Sequence, residues 1–399
     1  MIKKVIGIVV TILLLAYFIT LILHVSAHDD QYLWDFRTHR EAGKIMVSGS
    51  NPYDANILFP KARTRFLYTY PPVTLYFYSL LALPDYKTAF RIFLVAKFIL
   101  LIGLVYFWKR EFLKEDGGTL FYIFCLLAFN STIFLDMIAG NINLVQQVLL
   151  WLGFSFYIKG RYTLFCLFTL IAASFKMTPI FFLVLMLLAD DENKYKYFFG
   201  AGAVFLAYLL IQYLVVPTLF TGFIKNALVV VGESGGVVPS TNKLITAIFE
   251  VISKITGMTL PHAFQSAIFI LIAAAVVFFS YKACMRLKHK HMENRAMLEV
   301  FVVCLVYALI HPRFKDYGYI LLLVPSYYII KNIHYTEIAP FLFILFIMSN
   351  RMLLPMVSSV YDIFWAYFPL MVAYGVWGIY LYEIFSASET AQGAQAPGT

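Results

Sequence analysis

The sequence predicts an all-α polytopic membrane protein, and three observations carry that prediction. Of 399 residues, 61% are hydrophobic and only 13% are charged, whereas a soluble domain has about 25% charged residues. The apolar residues are gathered into runs approaching the ~20 residues a helix needs to cross a bilayer. No segment shows the ~10-residue alternation of an outer-membrane barrel strand.

The runs fall near residues 5–27, 86–108, 118–135, 141–158, 162–175, 177–190, 197–216, 263–283, 296–310, 317–330, 338–354 and 361–382. Several are shorter than about 17 residues and are expected to be tilted, broken or buried within the bundle. The first begins Met1-Ile2-Lys3-Lys4 and offers only Val25-Ser26-Ala27 as a weak cleavage site. It therefore reads as a retained span with Lys3 and Lys4 in the cytoplasm.

Residues 28–85 follow as a polar loop with juxtamembrane helices, and its last part, Pro71 to Pro84, either crosses the membrane or lies along it. Charge decides between the two. If the segment lies along the surface, the cytoplasmic loops include Lys109-Arg110, Lys159-Gly160-Arg161, Lys194-Tyr195-Lys196, the basic run Lys282 to Arg295, and Lys331. That is a consistent positive-inside bias over short loops. The opposite parity would put the strongest basic loop outside.

With this parity both termini are cytoplasmic, and Asp35, Tyr70, Asp136 to Asn143, Lys176, Gly232 to Lys243 and His311 to Arg313 share the non-cytoplasmic face. Polar groups beside membrane spans are costly and usually mark a site. Residues 217–262 read as a second external loop, with a turn and helix cap at Pro239-Ser240-Thr241-Asn242-Lys243. Residues 1–385 form one integral membrane domain, and the Ala/Gly/Ser/Gln-rich stretch 386–399 reads as a disordered tail. No internal repeat is visible.

Other classes are disfavoured. The net charge of +9 is spread over many short loops, which reads as topology and not as affinity for nucleic acid. All four cysteines, Cys125, Cys166, Cys284 and Cys304, sit inside apolar runs, so neither a disulfide framework nor a zinc site is implied. Asp29, Asp30 and Asp35 form no DxD triplet, and nothing demands a divalent metal. The histidines show no ligand spacing.

Asp35 opens an amphipathic run to Val47, ended by Gly49, with His39 one turn on along the same helical face. It reads either as a general base toward a hydroxyl or as a solvated helix-terminal carboxylate; Asp29 and Asp30 read as interfacial charge. Asp136 and Gly140-Asn141-Ile142-Asn143 form a polar turn between two spans. Gln146 and Gln147 extend that polarity into the next span, as a pocket lining would. Lys176 sits at a break before Thr178 and Pro179, where it either holds a phosphate or snorkels to the interface. His311-Pro312-Arg313-Phe314-Lys315-Asp316 is a cationic cluster in a loop expected to be poor in Arg and Lys, which points to an anionic ligand.

Asp35-Phe36, Ala42, Gly49, Asn51-Pro52-Tyr53-Asp54 and Tyr70-Pro71-Pro72 resemble the first external loop of glycosyltransferase family 87. Members are multi-span enzymes of the GT-C glycosyltransferase fold, typified by polyprenyl-phosphate-mannose-dependent mannosyltransferases of bacterial envelopes. Gly140-Asn141-Ile142-Asn143 is similar to that family's Gly-Gln-x-Asn turn, with Asn141 in place of Gln. Lys176 to Pro179 is similar to its Lys-Pro-x-Pro break, departing at Met177. His311-Pro312 resembles the late histidine-bearing loop, and the resemblance extends over about residues 1 to 330.

The resemblance implies about twelve transmembrane helices in a bacterial inner membrane. It also implies a polyprenyl-phosphate sugar donor, a lipid or glycan acceptor and inversion at the anomeric carbon, with no cofactor. Asp35 would be the base. Lys176, His311, Arg313 and Lys315 would meet the donor phosphate. His39, Tyr68, Tyr70, Asp136, Asn141, Asn143 and Asn242 would line the substrate, the tyrosines by stacking on sugar faces. The alternatives are a flippase for a lipid-linked sugar, for which a repeated architecture is expected, and an O-antigen ligase or polymerase, which would place its decisive residues in a late loop. The parity is testable by Lys288→Cys, which should react with an impermeant thiol reagent only from the cytoplasmic side; labelling from outside would reverse it.

Overall fold

The computed structural model describes residues 32–114, 118–231, 238–257, 261–289, 294–333, 339–348 and 359–386, with single positions between 9 and 27. Asp29, Asp30, the Gly232 to Gly236 stretch, most of the first span and the tail after 386 lie outside the described residues. Those described are helices and their connections, with no strand among them. They group into two units, residues 1–123 with 133–233, and residues 124–132 with 234–399.

The first unit begins with three short helices, α1 (Trp34–Val47), α2 (Ala55–Ala62) and α3 (Val73–Ala82). Local signals set their ends. Asn51 Oδ1 accepts from Tyr53 N at 3.0 Å, and the Asp54 carboxylate caps α2 by accepting from Asn56 N at 2.9 Å. At ten residues α3 is only about 15 Å long, half of what crossing requires, which fits a segment lying along the membrane surface. Its first turn is held by a distant side chain, Gln212 Oε1, which accepts from Val73 N at 3.2 Å.

α1 and α3 touch at backbone distance, through Gly43. A Cβ there would stand 2.7 Å from Ser79 N and from the Tyr78 carbonyl carbon. Arg40 fastens the same crossing, its guanidinium donating to the carbonyls of Leu81 at 3.2 Å and Pro84 at 2.6 Å at the end of α3. Ala42, Ile45, Tyr53, Leu58, Tyr68, Tyr70, Leu75 and Tyr78 fill a small core beneath these helices, joined by Ile142 and Phe223.

The unit continues with α4 (Tyr86–Glu111), α5 (Gly118–Ala139, of which residues 124–132 group with the second unit), α6 (Asn143–Ile158), α7 (Tyr162–Phe175), a 3₁₀ turn (Thr178–Val184) running into α8 (Leu185–Leu188), α9 (Lys194–Val215) and α10 (Pro217–Val231). α5 is not one continuous helix. Ala128 is extended, and Phe129, Asn130 and Ser131 are left-handed, so the chain breaks before resuming. The sequence expectation of an external loop over 217–262 needs correction in its local structure. Pro217 opens a fifteen-residue helix there, and α10 clamps the early segment through Asn226, whose Nδ2 donates to the carbonyls of Tyr53 and Tyr68 at 3.0 and 3.2 Å.

The second unit holds α11 (Thr241–Thr256), α12 (His262–His289), α13 (Arg295–Ile310), a 3₁₀ turn (Asp316–Leu322) entering α14 (Leu323–Asn332), α15 (Ala339–Met348) and α16 (Ser359–Ser386). α13 is its buried centre. α16 is fixed by Trp377 Nε1 donating to Ser280 Oγ at 2.8 Å and Tyr380 Oη to the Pro325 carbonyl at 2.8 Å.

Among the described residues, five stretches are long and apolar enough to cross a membrane: Tyr86–Glu111, Gly118–Ala139 with its break at Ala128 to Ser131, Lys194–Val215, His262–His289 and Ala366–Ser386. α3, α6, α7 and the Thr178–Leu188 element are apolar but shorter. The backbone contact at Gly43 gives a direct test. Gly43→Ala should lower unfolding stability in detergent by about 1–3 kcal/mol through overpacking, because the neighbours it meets are backbone atoms that cannot rotate away. An unchanged melting curve would show that α1 and α3 are free to separate.

Candidate active site

The first unit builds a polar site around Asp35, and the C-terminal end of α5 positions it. The last carbonyls of a helix lack intrahelical partners. Here the Ile138 carbonyl accepts from Leu33 N at 2.8 Å, the Met137 carbonyl from Gly140 N at 3.2 Å, and the Asp136 carbonyl from Lys97 Nζ at 2.7 Å. Leu33 takes a left-handed conformation, φ 60°, which α1 leaves directly. Asp35 is thus fixed by a turn tied to α5.

Gly140, with φ +66°, lets the chain turn back beneath α1; a Cβ there would lie 2.7 Å from Phe36 Cβ. The turn delivers Asn141. Its Nδ2 donates to Asp35 Oδ2 at 2.7 Å and to Tyr70 Oη at 3.1 Å, while its Oδ1 accepts from Asn143 N at 2.8 Å. Asp35 keeps 8% of its surface exposed, and Oδ1 takes no hydrogen bond from the described residues. A carboxylate held by one oxygen, with the other reachable, can accept a proton.

Lys97 braces this arrangement. It is 1% exposed, and its three N–H groups meet three acceptors: Asp136 Oδ2 at 2.6 Å, the Asp136 carbonyl at 2.7 Å and the Asn141 carbonyl at 2.8 Å. Asp136 was expected to line substrate. It is instead as buried as Lys97 and engaged by it, so its part is to hold the turn. Lys97 is the functional residue the sequence reading missed, although a lone lysine in an apolar span was a signal.

The aromatic residues also differ from expectation. Tyr68 is fully buried, its hydroxyl bonded to Thr74 Oγ1, which in turn donates to the Pro71 carbonyl. As placed it cannot stack on a sugar. Burial pushes the phenols of Tyr53 and Tyr68 well up, so both are neutral hydroxyls; Tyr53 donates to the Tyr70 carbonyl at 2.7 Å. His39 packs edge-on against Tyr70 at 4.6 Å and Tyr68 at 5.5 Å between ring centroids, and against Tyr78 at 4.8 Å. It supports Tyr70 from within the core.

Asn143 starts α6 and anchors Asn141. One turn on, the buried Gln146 Nε2 and Gln147 Oε1 lack hydrogen-bond partners among the described residues. Lys176 lies half-buried in the extended link after α7.

The remaining candidates belong to the second unit. His311 ends α13, and its Nδ1 accepts from Arg313 N at 3.1 Å. Ser240 Oγ donates to the Pro312 carbonyl at 2.7 Å and Thr241 Oγ1 to the Leu309 carbonyl at 2.6 Å, so this loop is pinned to the start of α11. Lys315 Nζ lies over the Tyr317 ring at 5.6 Å. Asn242 is half-buried in the first turn of α11. Among the described residues no group of three His, Cys, Asp or Glu side chains gathers where a metal could be held.

The Lys97 bridge is open to measurement. Removing one partner of a buried ion pair costs about 3–5 kcal/mol, so Lys97→Met should lower stability in denaturant titrations by that order. Adding Asp136→Leu should restore part of it, since no unpaired charge then remains; equal loss in the double variant would show that the carbonyl bonds, and not the charges, dominate.

Comparison with known proteins bears on the whole arrangement. A search of curated proteins gives no match. The family model described as glycosyltransferase family 87 matches residues 68–312, more than half of the chain, from Tyr68 through the Asn141 turn and Lys176 to Pro312. Asp35 lies ahead of that stretch and is joined to it by the Asn141 contact. This multi-pass membrane protein belongs to glycosyltransferase family 87.

Proposed function

We propose that this glycosyltransferase adopts the GT-C fold with about twelve spans and moves a sugar, mannose being the commonest case in its family, from a polyprenyl-phosphate donor to a hydroxyl of a lipid-linked or glycan acceptor. The observation that carries the proposal is the 2.7 Å contact between Asp35 and Asn141, which brings two polar motifs from distant parts of an apolar chain to one point.

Asp35 Oδ1 takes the proton of the acceptor hydroxyl as that oxygen attacks the anomeric carbon. The bond from that carbon to the phosphate oxygen breaks on the opposite face, and the polyprenyl phosphate leaves with the bonding electrons, inverting the centre. Asn141 orients the carboxylate, and Tyr70 and Asn143 orient Asn141. Lys176 supplies positive charge for the departing phosphate. His311, Arg313 and Lys315 remain candidates for phosphate contact by their chemistry alone. The proposed setting is a bacterial inner membrane, with both termini cytoplasmic and transfer on the opposite face.

The test is transfer from a radiolabelled polyprenyl-phosphate sugar to a lipid acceptor in proteoliposomes. Asp35→Asn should cut the rate by about 10²–10⁴-fold, the usual worth of a general base, with donor binding retained. Full transfer by that variant would remove Asp35 as the base, and donor translocation without transfer by the wild type would make the protein a flippase.

A further inference from the structure

The first unit has a polar cavity on the side of α1 away from Asp35. With successive residues about 100° apart around a helix, Asp35, His39 and Ala42 share one face of α1, and Arg37, Arg40, Glu41 and Lys44 share the other. These four, with Lys61 and Arg63 from the end of α2, border a cavity of about 720 Å³ that is closed below by the segment from Ala82 to Tyr86. Five cations and two carboxylates line it, counting Asp85, an excess of three positive charges. The carboxylates are already engaged: Glu41 Oε1 lies 2.9 Å from Arg40 Nη1, and Asp85 accepts from Thr88 N at 3.1 Å. Lys44, Lys61 and Arg63 are exposed around the mouth.

A second feature leads into this cavity. α3 turns Thr74, Leu75 and Tyr78 inward and exposes Val73, Tyr76, Phe77, Leu80 and then Leu83, with Leu80 65% and Leu83 80% exposed. That spacing makes one apolar ridge along the helix, and Leu83 itself lines the cavity. A soluble anion would use the cations and ignore the ridge. An amphiphile uses both, and in a membrane protein an apolar ridge ending in a basic pocket matches an acyl chain ending in an anionic headgroup.

We infer that this cavity binds the phosphate headgroup of an anionic membrane phospholipid, whose acyl chains lie along the exposed ridge of α3. Arg40 is spent on the Leu81 and Pro84 carbonyls and on Glu41, so Arg37 and Arg63 are the arginines that can grip the phosphate in a bidentate manner, while Lys44 and Lys61 act as point charges. The bound lipid would pin α1 and α3 to the membrane surface, and with them the helix that bears Asp35.

Native mass spectrometry of the delipidated full-length protein, titrated with phosphatidylglycerol or phosphatidylcholine and with no sugar donor present, tests this independently of the transferase reading. The wild type should bind phosphatidylglycerol at least tenfold more tightly. The triple variant Lys44→Ala, Lys61→Ala, Arg63→Ala changes only exposed side chains, and its phosphatidylglycerol affinity should fall about tenfold with phosphatidylcholine affinity unchanged. Leu80→Ser with Leu83→Ser should weaken both lipids. An unaltered preference in the triple variant overturns the site. So does displacement of phosphatidylglycerol by millimolar inorganic phosphate with no effect of the ridge variant, which would mark a soluble-anion pocket. A raised KM for the acceptor in the triple variant with lipid binding intact would make it an acceptor site and overturn it equally.

Discussion

The site in the first unit depends on how the C-terminal end of α5 is closed within an apolar environment. A helix end buried among apolar side chains leaves carbonyls that water cannot reach, and each unsatisfied group is costly there. Lys97 answers two of these needs at once, taking the Asp136 and Asn141 carbonyls, while the Asp136 carboxylate compensates its charge. The Ile138 carbonyl is taken by Leu33 N. One helix end therefore fixes both the Asn141 turn and the entry to α1. Asp35 and Asn141 meet because both are referred to the same few carbonyls.

The helices around Asp35 form a folded cap and not a loose loop. Its rigidity comes from close backbone approach at Gly43, from the buried tyrosine cluster and from Asn226, which reaches in from α10 to hold the Tyr53 and Tyr68 carbonyls. Those carbonyls belong to a segment without regular structure, and buried backbone groups of that kind need partners. The hydroxyls of Tyr53 and Tyr68 serve the same end. Aromatic residues that suggest sugar stacking in a sequence are here used to satisfy and bury an irregular chain, leaving Tyr70 as the one that reaches Asn141.

Much of the helix pattern was legible because hydropathy reports it directly: Tyr162–Phe175, Arg295–Ile310 and Trp34–Val47 fall close to where periodicity and length put them. The two cation-bearing breaks were also legible, and each leads to a seven-residue 3₁₀ turn, Thr178–Val184 and Asp316–Leu322. α10 was not, since Thr and Gly interrupt its apolar pattern, although Pro217 at its first position is a start signal. The site was legible in its motifs but not in its bonding. Sequence spacing cannot show that Asp136 is spent on Lys97, thirty-nine residues away, or that Tyr68 points inward. Those facts are set by tertiary contacts.

Two carboxylates of the same turn region are thereby given different work by their surroundings, as paired acids in enzyme sites commonly are. Asp136 is in contact with an ammonium group and fully enclosed. With Lys97 on its Oδ2 and only 1% of its surface exposed, it is out of reach of a hydroxyl from outside. Asp35 is in contact with an amide, which fixes one oxygen without supplying a compensating charge, and its second oxygen stays at the edge of the site. Exchanging the partners would reverse the roles: an asparagine beside Asp136 would leave a buried charge unpaired, and a lysine against Asp35 would quench the carboxylate proposed as the base. The replacement of Gln by Asn141 in the turn is consistent with this division. The shorter side chain still reaches Asp35 and, through Oδ1, caps the first residue of α6, so a neutral donor is retained where the proposed chemistry needs one.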